Sequence, residues 1–259
     1  MSRSGAAPRL HAAARSLGGI VAATAVWELV SISGIVTNDA LAGPWQTASA
    51  LASHLGALGS AAGNTLEAWA VGLAIASILG IAAGSLVGRS AIAEAFTEML
   101  VRMMRPLPSL ALIPIAILVA GLGLKMTSGL VAFTAFWPVF INTRYGVQQV
   151  DNLFIDTAHT LGLSAVGTLL RVIIPAAAPL IASGLQVAIS LALVVTVSVE
   201  LVSGSGGIGS FVLQAQQGNA IPTMYAGILV GGLVGWLLNR VYALATARLL
   251  PWSNRLETT

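Results

Sequence analysis

Long apolar stretches and short polar segments alternate along the chain. Six stretches are candidate membrane spans: residues 20–36, 66–88, 106–124, 126–142, 179–202 and 224–242. An α-helix needs about 20 apolar residues to cross the hydrocarbon core of a bilayer. The pattern therefore predicts an all-α, polytopic membrane protein with about six transmembrane helices in a single transmembrane domain, residues 1–259.

Composition supports this class and excludes several others. Of the 259 residues, 56% are hydrophobic and only 8% are charged, whereas roughly 25% of a soluble domain is charged. Cysteine is absent, which excludes a disulfide framework and a thiolate metal site. The net charge of +3 could suggest nucleic acid, but the distribution of the charges argues against that partner.

Every arginine falls on one side of the predicted membrane. Six spans put both termini on the same side, together with the segments that hold Arg3, Arg9, Arg15, Arg89, Arg102, Arg105, Arg144, Arg171, Arg240, Arg248 and Arg255. Only Lys125 falls on the other side. Since basic residues concentrate in cytoplasmic loops, we expect both termini and residues 147–178 to be cytoplasmic.

The first apolar stretch has two interpretations. Residues 1–19 are basic and Ala-rich, as a signal peptide can be. Trp27 and Glu28 interrupt the apolar run, and no small-x-small cleavage site closes it, so we favour an uncleaved span. For Glu28, packing against a neighbouring helix is the simpler role and a functional role is the alternative. Residues 38–64, which follow, are expected to form an external loop.

Small residues recur at four-residue spacing in two stretches. The second stretch carries Gly72, Ala76, Gly80, Gly84 and Gly88, and the sixth carries Gly227, Gly231 and Gly235. Helices in lipid associate through close packing of such flat faces. We therefore predict that both series are helix-packing faces.

The third stretch begins with Pro106, Pro108 and Pro114. Proline removes a backbone donor and bends or breaks a helix, and a membrane tolerates the break only where neighbours or water satisfy the freed carbonyls. We expect this span to line a cavity or a moving interface, with a purely structural kink as the alternative.

Two further polar features flank the spans. Glu200 ends the fifth stretch, where it could gate a pathway or bond a helix end, and the glycine-rich run 203–210 is expected to be a flexible external loop. Between spans two and three, Glu98 and Arg102 are spaced to pair on one helix face that also holds Glu94. That face is either solvated or a second surface for a cytoplasmic partner.

The stretch 156–175 is polar, and its chemistry suits the docking of a soluble partner. It begins with Asp156 and also carries His159, Ser164 and Arg171. We expect Asp156 near the start of a helix, where the dipole favours a carboxylate. Gly162 is expected to let the chain turn between two short helices.

The same stretch resembles the cytoplasmic coupling loop of bacterial ABC-importer permeases. Its acidic-x-Ala-x-x-x-Gly pattern and aliphatic-x-aliphatic-Pro ending are carried by Asp156, Ala158, Gly162, Val172, Ile174 and Pro175, with Asn142, Thr143, Gly146 and Asp151 upstream. Asp156 stands where glutamate is more usual, and Thr157 where alanine is common. The run from Arg105 through its three prolines to Gly121 and Gly123 resembles the nitrate/sulfonate/taurine branch of that family.

The resemblance implies a type I ABC-importer permease fold, with a core over residues 66–245 and a coupling loop over residues 147–178. It implies a multi-pass subunit of the bacterial inner membrane that works with a second permease copy and an extracytoplasmic substrate-binding protein. A cytoplasmic ATP-binding cassette protein would bind the ATP and dock on Asp156, Ala158, His159, Gly162 and Pro175. The cargo would be nitrate, taurine or another sulfonate, although relatives in this branch also import pyrimidine precursors of thiamine.

The sequence contains no recognisable catalytic constellation. The only lysine is Lys125, no Gly-x-x-x-x-Gly-Lys-Ser/Thr loop occurs, and His11, His54 and His159 are too far apart to suggest a metal site. We therefore expect a transport subunit without cofactor or metal, not an enzyme. The alternatives are a secondary transporter driven by an ion gradient, which would use Glu28 and Glu200, and a membrane scaffold or enzyme.

Overall fold

The computed structural model describes residues 7–33, 40–104 and 108–251, which are helical nearly throughout and contain no strand. The all-α prediction is confirmed. The α-helices are α1 (Ala7–Ile32), α2 (Pro44–Ser53), α3 (Leu55–Val87), α4 (Ala91–Met104), α5 (Ile113–Ala120), α6 (Leu124–Gln148), α7 (Asn152–Thr160), α8 (Ala165–Thr168), α9 (Ile174–Ser203), α10 (Ile208–Gln217) and α11 (Ile221–Leu249). A 3₁₀ turn, Ser109–Leu112, precedes α5, and a π turn, Leu169–Ile173, joins α8 to α9.

Within the described ranges, four helical stretches are long and apolar enough to cross a membrane. They are α3, α6, the continuous run Ala165–Gln217 that contains α9, and α11. A fifth crossing results if Ile92–Met104 and Ser109–Ala120, bent by 83°, count as one broken span. The apolar part of α1, Gly18–Ile32, is shorter than a span requires, so the count of six stays a prediction.

The third apolar stretch is broken where the prolines predict it. Pro108 immediately precedes the 3₁₀ turn and Pro114 lies in the first turn of α5, while Pro106 lies outside the described residues. From Ser109 to Ala120 the helical run rises only about 18 Å. That length is well short of the ~30 Å hydrocarbon core, so this run does not cross a membrane as a single straight helix.

The segment predicted to be an external loop, residues 38–64, is largely helical in its described part. It holds α2 and the first turns of α3. Pro44 in the first turn of α2 is a common helix start, and the Gly43 N–H donates to the Gln46 side chain across that turn. Glycine and serine favoured a loop, but the alanine and leucine around them are strong helix formers, and Leu58 is buried.

The core is a bundle of α3, α6 and α9. Its buried cluster includes Ala76, Val131, Val139, Ala188 and Val199. The Trp69 indole N–H of α3 donates to the Ile189 carbonyl of α9 at 3.1 Å. The bundle therefore sets the relative positions of these three helices.

The small-residue face of α3 lies directly against α6. A Cβ built on Gly72 would be 2.6 Å from Val131, and one on Gly80 would be 2.9 Å from Val139. One on Gly84 would be 2.7 Å from the Phe140 carbonyl oxygen. Contacts this short leave no room for a larger side chain.

The corresponding glycines of α11 lie in looser surroundings. A Cβ on Gly227 would be 2.7 Å from Val212 of α10, and one on Gly235 would be 3.1 Å from Leu193 of α9. A Cβ on Gly231 would meet Ile208 at an ordinary 3.5 Å. The α11 series is therefore closely packed at two of its three positions.

Candidate functional site

The candidate site is the segment that connects α6 to α9, residues 152–173, which we call the coupling segment. Its first helix, α7, is capped by Asp151, whose Oδ1 accepts from the Leu153 N–H at 2.9 Å. Aspartate is a favoured N-cap residue. Asp156 lies in the middle of α7, so the expectation that Asp156 sits near the helix start is wrong. The local signal for Asp151 was its position just before a helix-forming run.

The end of α7 is closed by Gly162, as predicted. Gly162 has φ +79°, a left-handed conformation that glycine adopts without strain. The Leu163 N–H donates to the Ala158 carbonyl at 3.0 Å, and the Gly162 N–H donates to the His159 carbonyl at 2.9 Å. These two bonds satisfy the last carbonyls of α7. Ser164 then caps α8, since its Oγ accepts from the Gly167 N–H at 3.2 Å.

One face of α7 packs against the bundle. Ile155 and Ala158 are 4% and 3% exposed. Ile155 joins a cluster with Val147 at the end of α6 and with Ile173 and Ala177 next to and within α9. The buried position of Ala158 explains why a small residue is needed there.

The rest of the coupling segment is largely exposed and carries many apolar side chains. Asp156 and His159 are exposed, and five apolar residues of the same segment are between 58% and 77% exposed: Leu153, Phe154, Leu161, Val166 and Leu170. We call these seven residues the coupling surface. A monomeric soluble surface rarely leaves so many neighbouring large apolar residues uncovered. None of the five apolar members is among the site residues predicted from the sequence, because that prediction rested on the polar residues and the family motif of this segment.

The coupling segment is continuous with the longest span. α8, the π turn and α9 follow one another without an intervening loop. Pro175, exposed in the first turn of α9, has no N–H to donate to the Arg171 carbonyl, which accounts for irregular helix at this point. α8 is therefore joined to α9 by uninterrupted helix.

A further helix, α4, lies beside the end of α6. The predicted pair between Glu98 and Arg102 forms. Arg144 of α6 is only 7% exposed. It lies 3.7 Å from Glu94 and over the ring of Tyr145. Glu94 thus links α4 to the base of α6, where the coupling segment begins.

At the opposite end of the bundle, Glu200 is 2% exposed and joins three elements. Its Oε2 accepts from the Thr65 hydroxyl and from the Gly209 N–H, each at 3.0 Å. The Thr65 Oγ1 accepts in turn from the Ile208 N–H at 2.8 Å. Of the two roles considered for Glu200, this geometry supports bonding of a helix end, since it satisfies the first N–H groups of α10.

The glycine-rich run 203–210 is not a free loop in the structure. A Cβ on Gly207 would overlap the Glu200 carboxylate, and one on Gly209 would lie 2.3 Å from the Val197 carbonyl oxygen. Glycine is thus required because the chain passes directly over Glu200. Glu200 also borders a small cavity of about 140 Å³ that Asn64, Glu67 and Thr127 share.

A larger cavity, of about 320 Å³, opens between α6 and α9. It is lined by uncharged side chains: Phe133, Thr134, Trp137, Pro138, Ile141, Asn142, Val187 and Leu191. The Asn142 amide donates to the Pro138 carbonyl at 2.8 Å. The buried Trp137 indole N–H has no partner in the described part of the chain. The cavity is therefore lined by apolar and neutral polar side chains and carries no fixed charge.

Two predictions remain to be compared with the structure: the role of Glu28 and the absence of a metal site. Glu28 is exposed on α1 and borders a groove that it shares with Trp45 of α2, so both roles considered for it, packing beside a helix and a functional role, stay predictions. In the ranges that the structure describes, no group of three or more His, Asp or Glu residues is arranged to hold a metal ion.

Residues 76–254 match the model of a protein family that is described as "Binding-protein-dependent transport system inner membrane component". The chain belongs to this family. It is therefore a multi-pass inner-membrane permease of an ABC importer, a transport subunit that works with ATP-binding and substrate-binding partners. Family membership favours this interpretation over a secondary transporter or a scaffold.

Relatives of this permease are named after different transported solutes. It is 33% identical over 187 residues to the nitrate import permease protein NrtB of Leptolyngbya laminosa, covering 72% of this chain and 67% of that one. It is 35% identical over 175 residues to the bicarbonate transport system permease protein CmpB of Synechococcus elongatus, covering 67% and 63%. It is 30% identical over 236 residues to the putative aliphatic sulfonates transport permease protein SsuC of Bacillus subtilis, covering 90% and 85%. The match to the cyanobacterial proteins thus spans about two thirds of their length.

Solved structures show the same fold. An inward-facing structure of the MetNI methionine ABC transporter aligns with a TM-score of 0.63 at 16% identity, covering 76% of this chain and 97% of that one. A crystal structure of an amino acid ABC transporter aligns with a TM-score of 0.60 at 16% identity, covering 78% and 96%. The predicted ABC-permease fold is confirmed.

Proposed function

We propose that this permease forms the pathway of an ABC importer for a small oxyanion and is driven by an ATP-binding subunit that docks on the coupling surface. Two copies of the permease would enclose the pathway, an external binding protein would deliver the anion, and both termini would lie in the cytoplasm. The observation that carries the proposal is the exposed coupling surface, joined to α9 by uninterrupted helix.

The coupling surface has the chemistry of a protein-docking site. Its five apolar members belong to the same short segment as one carboxylate and one imidazole, Asp156 and His159, so apolar area and specific polar anchors are available together. The opposite side is fixed to the bundle through Ile155 and Ala158. A partner that closes on ATP binding would therefore move α7 and α8 together with the bases of α6 and α9.

The direction in which α7 and α8 move depends on how well the ATP-binding partner fits each conformation of the permease. A partner that bound the coupling surface equally well in both conformations of the permease would shift no population between them. The ATP-bound partner must therefore fit one arrangement of α7 and α8 better than the other. The cytoplasmic and external ends of α9, at the coupling segment and at Glu200, would then move in a concerted way.

The oxyanion cargo is inferred from chemistry that the relatives share. Nitrate, bicarbonate and aliphatic sulfonates are all small anions with planar or tetrahedral oxygen groups. The cavity between α6 and α9 is lined by the neutral side chains of Trp137 and Asn142 in an apolar surrounding. Neutral donors can hold an anion briefly without the tight binding that a buried cation would impose, which suits a transport pathway.

Docking is tested by co-purification of the permease with its ATP-binding subunit. Leu161→Asp places a charge at an apolar position that is 77% exposed, and we expect it to abolish co-purification while membrane insertion persists. Gln148→Asp, which adds the same charge at the exposed end of α6, is the matched control and should bind normally. Normal docking of the Leu161 variant would contradict the proposed surface.

The cargo class is tested with the reconstituted importer. ATP hydrolysis in liposomes should be stimulated by one or more of nitrate, bicarbonate, taurine and alkanesulfonates when the binding protein is present. An uncharged sugar should give no stimulation. Stimulation by uncharged solutes alone would overturn the oxyanion assignment, and uptake driven by an ion gradient without ATP would overturn the importer mechanism.

A further inference from the structure

A cavity of about 210 Å³ lies between the cytoplasmic end of α3 and the coupling segment. Its polar lining comes from four different places in the chain: Ser85 near the end of α3, Arg89 just after it, His159 on α7 and Thr168 at the end of α8. At about 30 Å³ per water molecule, this volume holds roughly seven waters. It can therefore accommodate a small polyatomic ion together with part of its hydration shell.

Two buried hydroxyl groups in this lining have no protein partner. Ser85 and Thr168 are 3% and 2% exposed, and neither hydroxyl makes a hydrogen bond within the described residues. Serine and threonine in helices usually donate to a carbonyl one turn back, as Ser77 does to the Leu73 carbonyl. Buried polar groups without a partner are rare and call for an explanation, such as a bound water or ion.

The basic side chains of the cavity point to the same kind of ligand. Within the part of the chain that the structure describes, neither the Arg89 guanidinium nor the His159 imidazole has an ion pair. No carboxylate lines the cavity. The polar lining therefore consists of groups that can donate hydrogen bonds, with one fixed positive charge and no fixed negative charge. Such a set is complementary to an acceptor-rich anion.

We propose that this cavity binds one small inorganic oxyanion from the cytoplasmic side, held by Ser85, Arg89, His159 and Thr168. The bound anion fastens the coupling segment to the end of α3, because its ligands belong to both. Anion binding requires only these residues, whereas its consequence for transport rests on the proposed function. There, occupancy would restrain the movement of α7 and α8, and accumulation of a suitable anion in the cell would slow import.

Binding is measured on the full-length permease without its partners, by equilibrium dialysis of radiolabelled sulfate and phosphate in lipid-free detergent at constant ionic strength. We expect one saturable site per chain. Thr168→Val, which keeps the side-chain shape, and Arg89→Gln should each weaken binding by roughly tenfold or more, since each removes a donor to a charged ligand.

Matched controls separate the site from general effects of these substitutions. Thr160→Val removes an exposed hydroxyl of the same segment that already donates to the Asp156 carbonyl. Arg102→Gln removes an exposed cation that is already paired with Glu98. Both controls should bind the anion as the wild type does. Far-ultraviolet circular dichroism and size-exclusion profiles of all four variants show whether each remains folded, and Ser85→Ala provides a third, smaller change in the site.

The source of the ligand is distinguished in lipid nanodiscs, because a phospholipid headgroup offers the same oxyanion chemistry as free phosphate. If a headgroup occupies the cavity, sulfate binding disappears in nanodiscs, and phospholipid that co-purifies with the wild type is lost from the Thr168 variant. If free anions occupy it, sulfate binds equally in both environments. Either result supports an oxyanion site. Absence of saturable binding in both environments, or unchanged binding in the Thr168 and Arg89 variants, overturns it, whether or not the ATP-binding subunit docks.

Discussion

Replacing Gly162 with valine separates the hinge function of the coupling segment from its packing. Gly162 has φ +79°, and a Cβ built there meets no atom within 4 Å. The added Cβ therefore meets no neighbour, and the expected cost is that of a β-branched residue in the left-handed region, about 1–2 kcal/mol. A change of one or two kcal/mol alters the population of the turn by a factor of roughly 5–30. The capped ending of α7 should become a minor conformation, or be held only under strain.

We expect Gly162→Val to insert in the membrane normally and to retain its substrate pathway, but to lose most coupling between ATP hydrolysis and transport. The assay is the ratio of substrate transported to ATP hydrolysed in proteoliposomes that contain the complete importer. Gly162→Asn is the control, because asparagine tolerates the left-handed conformation far better than valine does. Equal impairment of both variants, or a normal ratio with valine, would refute the hinge argument.

Three further predictions concern the packing and capping that position the site. Thr65→Val should lower the unfolding free energy of the purified permease by about 1–3 kcal/mol, because it removes a donor to the buried Glu200, and an unchanged thermal midpoint would contradict this role. Gly80→Leu should prevent stable insertion of folded permease, whereas Gly129→Leu, at a position with open space, should be tolerated; comparable folded yields would refute the close-packing argument. Asp151→Ala should destabilise α7 by about 1 kcal/mol and Asp151→Asn much less, as measured by hydrogen exchange of the coupling segment, and equal protection in both variants would exclude the cap.

Features encoded by spacing along one helix could be predicted from the sequence. The glycines of α3 lie on one face because four residues make nearly one turn, and that face contacts α6. The turn at Gly162 could also be predicted, because a glycine between two short helical patterns is a strong local signal. The break in the third apolar stretch could be predicted in the same way, from its prolines.

Features encoded by residues distant in the sequence could not be predicted. Thr65 and Glu200 are 135 positions apart, and nothing local to either residue indicates that they meet. The run 203–210 resembled a flexible loop because glycine is common in loops, whereas here it allows the chain to pass over a buried carboxylate. The cavity formed by Ser85 and Thr168 likewise depends on the docking of α8 against α3, which only the tertiary structure reveals.

The helical part of residues 38–64 was missed for a different reason. Its glycine and serine content lowers helix propensity, but α2 and the start of α3 gain stability from burial of Ala50 and Leu58 against Ala226 of α11. Tertiary packing of this kind overrides a weak local preference. Composition alone therefore underestimates the helix content of residues 38–64.

The most direct test of the account is the sidedness and occupancy of the coupling surface. Because the chain contains no cysteine, Leu161→Cys and Lys125→Cys each introduce a single thiol for a membrane-impermeant maleimide. We predict that the Leu161 variant is labelled only in inside-out vesicles and is protected when the ATP-binding subunit is bound. The Lys125 variant should be labelled only in intact, outer-membrane-permeabilised cells. Labelling of the Leu161 variant from outside, or full labelling in the presence of the bound ATP-binding subunit, would contradict the account.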